Sequence, residues 1–121
     1  MSYVPLAARI CLALIFLNAG VNHLTGFQGF VNVIATKGLP GAPVLAIATI
    51  VFLLAGALSL LLGYKTKTGS LLLILFLIPA SIFFHPPTTD LTGFLKNLGL
   101  IGGLLMTIAN GPGLVSIDGG N

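Results

Sequence analysis

Residues 38–64 read GLPGAPVLAIATIVFLLAGALSLLLGY, a run without Asp, Glu, Lys or Arg. Crossing about 30 Å of hydrocarbon at about 1.5 Å per residue takes about 20 helical residues, so this run can span a bilayer. Lipid offers the backbone no hydrogen bonds, and only helices and closed barrels satisfy their own amides there. The run lacks the period-two alternation of barrel strands. It therefore reads as a helix, trimmed by Gly38-Leu39-Pro40-Gly41 and Gly63 to residues 43–62.

Three further stretches, 10–36, 68–89 and 97–117, are equally free of those charges. The first predicts a span over 5–23, with Pro5 suited to a first turn and Ser2 as a cap. It stops at Leu24-Thr25-Gly26, and residues 27–36 follow with Phe27, Phe30, Val31 and Ile34 at helical spacing. That pattern suits a short helix lying in the interface. The third span covers 70–84 and halts at His85-Pro86-Pro87; Pro79 inside it removes a donor for the Leu75 carbonyl, so a kink is expected. The fourth covers 93–110 and ends at Gly111-Pro112-Gly113. The expected fold class is all-α: a membrane-spanning four-helix bundle with a short interfacial helix between helices 1 and 2, in a single integral membrane domain over 1–121.

Composition agrees. Hydrophobic residues make up 56% and charged residues 6%, against about 25% charged in soluble domains. Five basic and two acidic residues give a net charge of +3. No basic run exists to neutralise phosphates, so the expected partner is the lipid bilayer and not nucleic acid. Cys11 is the only cysteine and cannot form an intramolecular disulfide or a zinc site alone; it reads as a small hydrophobe. Arg9 before an apolar stretch ending in Asn18-Ala19-Gly20 also fits a secretory signal, but cleavage there leaves an odd set of three spans. The first span is read as retained. Four spans put both termini on one side with Arg9, Lys65 and Lys67, against Lys37 and Lys96 on the other. That bias, three against two, favours both termini inside.

Helix association in lipid depends on close packing and a few polar contacts. Gly99 and Gly103 form a GxxxG pair, and Ala42, Ala46, Thr49, Gly56, Ser59 and Gly63 trace a small-residue stripe. Both suit bundle packing or the interface of a homo-oligomer.

Topology gathers the polar groups. His23 and His85 end at one membrane face, where the fourth helix begins with Lys96 and Asn97; Asn22 adjoins His23, and Lys37 and Asp90 flank the group. The catalytic candidates are His23, His85 and Lys96. The ligand-binding candidates are Asn22, Asn97, Asp90 and Arg9. Lys96, in a first helical turn, opposes the macrodipole. Its counter-ion is Asp90 or an anionic or carbonyl-bearing ligand, unless it snorkels to the headgroups. The histidines suit general acid–base work or hydrogen bonds to helix-end carbonyls. Two histidines and one distant carboxylate make a poor metal site, so no metal is expected, and nothing requires haem. Arg9 shares a face with Phe16 and His23 and points into the bundle or snorkels to the inner headgroups, with Asp118 near enough to pair. Asn18 and Asn22, four apart, are expected to bond across to a neighbouring helix. No phosphate loop, dinucleotide fingerprint or triad spacing is present.

The chain resembles the DoxX family of small four-helix membrane proteins. The carriers are Arg9, Gly20 through Asn22-His23-Leu24, Gly38-Leu39-Pro40, and Phe76-Leu77-Ile78-Pro79-Ala80 running on to His85. Phe94-Leu95-Lys96-Asn97-Leu98, Ile101-Gly102-Gly103-Leu104-Leu105, Gly111-Pro112-Gly113 and Ser116-Ile117-Asp118 complete them. The resemblance implies a bacterial inner-membrane protein linked to redox chemistry: thiosulfate oxidation to quinone, catechol or quinone reduction, or oxidative-stress complexes. Pro86-Pro87 after His85 departs from the polar or aromatic residue expected there.

The leading functional expectation is a quinone-linked membrane oxidoreductase or its membrane subunit. His23, His85, Lys96 and Asn97 supply donors and protons to the carbonyls of a lipid-soluble quinone. No redox cofactor site is visible and no cofactor is assigned beyond a quinone, so electrons come from a soluble or membrane redox partner or from a bound cofactor. The alternative is a non-enzymatic scaffold or accessory subunit that docks a soluble partner. A small-solute carrier ranks last, since no inverted repeat is visible.

Overall fold

The computed structural model describes residues 3–118, so the Ser2 cap lies outside the described residues. These residues form five helices: α1 (Tyr3–Thr25), α2 (Phe27–Thr36), α3 (Ala42–Leu62), α4 (Thr66–Phe83) and α5 (Leu91–Asn110). All but α2 are long and apolar enough to cross a membrane. The all-α bundle, with its short helix between the first two spans, is the fold expected from the sequence.

α3 is the central element, packing against α1, α2 and α4, while α5 lies on α4. It starts after Gly41 and ends at Gly63, both in the left-handed region, at φ 65° and 67°. The Gly63 amide reaches the Leu60 carbonyl and the Tyr64 amide the Ser59 carbonyl, the paired bonds of a Schellman cap.

α4 begins at Thr66, four residues before the predicted start at 70. Lys65 takes a left-handed conformation at φ 48° and turns the chain within two residues. Residues 66–69, left between the predicted spans 43–62 and 70–84, are therefore the first turn of a helix. Gly69 in that turn is where α4 meets α3: a Cβ there would lie 2.4 Å from Ser59 Cβ.

The core joins Ala13 and Phe16 of α1, Leu53, Ala57 and Leu60 of α3, Leu73, Ile74 and Leu77 of α4, and Leu104 of α5. Outward faces carry exposed large hydrophobics such as Val51, Leu58, Leu75, Ile78 and Leu105, as hydrocarbon solvent demands. The α3 stripe serves the bundle, since a Cβ on Gly56 would meet Leu73 Cγ at 2.5 Å. The GxxxG pair divides: Gly103 faces Leu12 of α1, whereas Gly99 faces nothing within 4 Å. On α2, Val31 and Ile34 pack against Ala42 and Ala46 of α3, so much of its apolar face is spent on the protein.

At the end where α1 begins and α3 finishes, Arg9 is 2% exposed. Its inward reading holds over snorkelling. Nη1 donates to the Leu60 carbonyl at 3.0 Å and the Leu61 carbonyl at 3.5 Å, and Nη2 donates to the Val115 carbonyl. The Ile117 and Asp118 amides donate to the Leu62 and Gly63 carbonyls at 2.9 and 3.1 Å. The carbonyls that any helix C-terminus leaves unpaired are thus met by a cation and by the tail. Asp118, near enough in sequence to pair, accepts from the Lys65 amide at 2.7 Å through Oδ2, and the guanidinium is held by main-chain carbonyls. Asn18 and Asn22 are exposed, and among the described residues neither side chain bonds across to another helix. Lipid-facing rotation of α1 puts them outside the bundle.

Candidate functional site

At the opposite end from Arg9, a cleft of about 780 Å³ opens among all five helices. Its floor is apolar, built by Phe16 and Ala19 of α1, Phe76 and Leu77 of α4 and Leu100 of α5. Its polar lining is His23, Lys37, Thr49, His85, Lys96 and Asn97. The three catalytic candidates and Asn97 therefore do line one space.

His23 ends α1, and the chain folds back at Gly26 so that Phe30 of α2 stacks on the imidazole. Their ring centroids lie 3.8 Å apart with planes 10° from parallel. Lys37, capping α2, places Nζ 5.8 Å over the Phe84 ring, a cation–π contact that joins α2 to the end of α4. Asn97 is 4% exposed. Its Nδ2 donates to Ser81 Oγ at 3.1 Å, and Ser81 Oγ donates to the Leu77 carbonyl at 2.6 Å. Asn97 thus ties α5 to α4 beside the cleft.

Asp90 has two partners. Oδ1 accepts from the Gly93 amide at 3.0 Å, capping α5, and Oδ2 lies 2.6 Å from His85 Nδ1. Asp90, one of the counter-ions weighed for Lys96, thus bonds directly to His85, and Lys96 acts on the carboxylate only at longer range. α5 also starts at Leu91, two residues earlier than predicted. Lys96 consequently sits in the second turn, exposed, and opposes the macrodipole less than expected. Asn22 lies outside the cleft lining, its carbonyl accepting from Gly26 N and Thr25 Oγ1. Arg9 is at the far end and does not contribute. The sequence reading missed Phe30 as a ring platform and Ser81 as a polar tie; Phe30 alone carried a signal, through its helical spacing.

The His85 bond, then the Gly93 amide, holds the Asp90 carboxyl below its ordinary value. A depressed carboxylate pKa stabilises the fold above the unfolded value, about 3.9, and the contribution is lost as pH falls through the lower folded value. Protection of the Gly93 amide against hydrogen exchange, taken relative to its intrinsic rate at each pH, is accordingly expected to hold at neutral pH and to fall only below about pH 4. In D90A that protection should be low throughout. A wild-type-like profile in D90A would remove the cap from the account.

Residues 4–86 match the DoxX family model. The chain belongs to the DoxX family. The matched segment carries Arg9, His23 and His85 and stops short of Asp90 and α5. Two Escherichia coli (strain K12) proteins extend the likeness. Inner membrane protein YqjF is 32% identical over 116 residues, covering 93% of this chain and 88% of its own length. Inner membrane protein YphA is 31% identical over 121 residues, covering 93% and 86%. A Surfeit locus protein 4 homolog of Drosophila melanogaster is 31% identical over 127 residues, covering 97% of this chain and 40% of that protein. No solved structure matches the chain. With four apolar helices long enough to span, this DoxX chain is an inner membrane protein.

Proposed function

We propose that this DoxX-family chain binds the headgroup of a lipid-soluble quinone in the cleft, as the membrane subunit of a quinone-linked oxidoreductase. One observation carries the reading: the same cavity has an apolar floor and a polar lining of His23, Lys37, His85 and Lys96. A quinone has a flat ring, two carbonyls needing donors and a tail soluble in hydrocarbon. The stacked His23–Phe30 pair offers aromatic surface, and Lys96 offers a cationic donor to a carbonyl that gains negative charge on reduction. The two electrons are delivered by a soluble or membrane redox partner. Both termini are placed on the cytoplasmic side, with the cleft near the other face.

The test is a titration of the purified chain in lipid nanodiscs with a short-tailed benzoquinone. Saturable binding is expected, weakened about threefold to tenfold in K96A, since an exposed cationic donor contributes less than a buried one. Absence of saturable binding, or equal affinity in K96A, overturns the proposal.

A further inference from the structure

Asp90 already fulfils its capping role with Oδ1, through the Gly93 amide. Its second oxygen is committed to His85 at 2.6 Å. An ionised carboxylate only accepts hydrogen bonds, so Nδ1 must carry the proton between them. Nε2 is then the one ring nitrogen whose protonation can change, on a ring that lines the cleft.

Gly93 makes this arrangement fit. A Cβ there would stand 2.4 Å from Asp90 Oδ2 and 2.8 Å from His85 Nδ1. Any side chain at 93 therefore displaces the carboxylate from the imidazole. His23 has no such fixture: its ring stacks on Phe30, and among the described residues neither nitrogen has a hydrogen-bond partner.

We propose that the His85–Asp90 pair is the proton-exchange site of the cleft, with Asp90 as the positioning residue. Resting on the quinone reading above, it assigns the exchange to His85 and not to His23. In the step, the O–H bond of a bound quinol breaks, its electron pair stays on oxygen, and an Nε2–H bond forms. The reverse step returns the proton to the quinolate. No electron moves. Lys37 and Lys96, the other charged groups lining the cleft, favour the oxygen anion that the step creates.

The test uses the full chain with 15N-labelled imidazoles in nanodiscs, titrated with a short-tailed benzoquinol kept reduced. The chain has two histidines, so spectra of His23→Phe assign them. Without ligand at mildly alkaline pH, His85 is expected as the Nδ1–H tautomer. Quinol should move its Nε2 resonance as that nitrogen gains a hydrogen-bond partner, whereas His23 shows only the smaller shift of a ring stacked nearby, with its tautomer unchanged. D90N keeps a capping side chain and G93A favours helix, so both are expected to fold. Each should mix the tautomers and weaken quinol binding about tenfold. Bound quinol that moves only His23 or neither ring, or an unchanged tautomer in D90N and G93A, overturns this inference and leaves the binding site standing. A titration with no saturable signal overturns the binding site and this step together.

Discussion

Replacing Arg9 with alanine is expected to destabilise the bundle by roughly 3–5 kcal/mol, from lost charge-assisted hydrogen bonds and the void left behind. The guanidinium is 2% exposed and donates to carbonyls on α3 and on the tail. The Leu60 carbonyl keeps the Gly63 amide as a second partner at 3.3 Å, but those of Leu61 and Val115 have no replacement of that kind. Relaxation of the tail would recover some of the loss by admitting water. Arg9→Lys should fall between, because one ammonium cannot fork toward α3 and Val115 together. Denaturant titration in detergent checks the magnitude, and limited proteolysis after residue 111 checks the route. An unchanged midpoint in R9A would show that the buried cation is not what holds this end.

Gly63→Ala is expected to cost roughly 2–4 kcal/mol, combining left-handed backbone strain with overpacking. Its φ is 67°, and a Cβ would sit 2.2 Å from Ser116 Cβ and 2.5 Å from Arg9 Nη1. Ser116 cannot simply step aside, because the amides of Ile117 and Asp118 are tied to Leu62 and Gly63. The double variant R9A/G63A should lose clearly less than the two single losses added, since both break one junction. Strict additivity would mean that the glycine acts only through its own backbone.

The spans were legible because charge is scarce and falls between them, as at Lys37 and Lys65, or within their first two turns, as at Arg9, Lys67 and Lys96. Convergence of His23, His85 and Lys96 followed from helix direction alone. Partners were harder. Arg9 was weighed against Asp118, yet its acceptors are main-chain carbonyls, which every residue carries and no pattern marks. Asp90 was matched to Lys96 by sign, but the cap it forms fixes the carboxylate next to His85. The start of α4 was lost because Thr66-Lys67-Thr68-Gly69 has loop composition, while the left-handed turn at Lys65 feeds it straight into helix. Asn18 and Asn22 depended on the rotation of α1, which neighbouring helices set.

The Arg9 lock also orders events in biogenesis. α1 leaves the ribosome first, carrying a cation with no acceptor yet made. The Leu60 and Leu61 carbonyls arrive with α3, and Val115 lies 106 residues downstream of Arg9. Before α3 is in place, the guanidinium lowers its energy by reaching the headgroups. Synthesis of α3 therefore supplies the first two acceptors, and the set is complete only once the segment after α5 has been made.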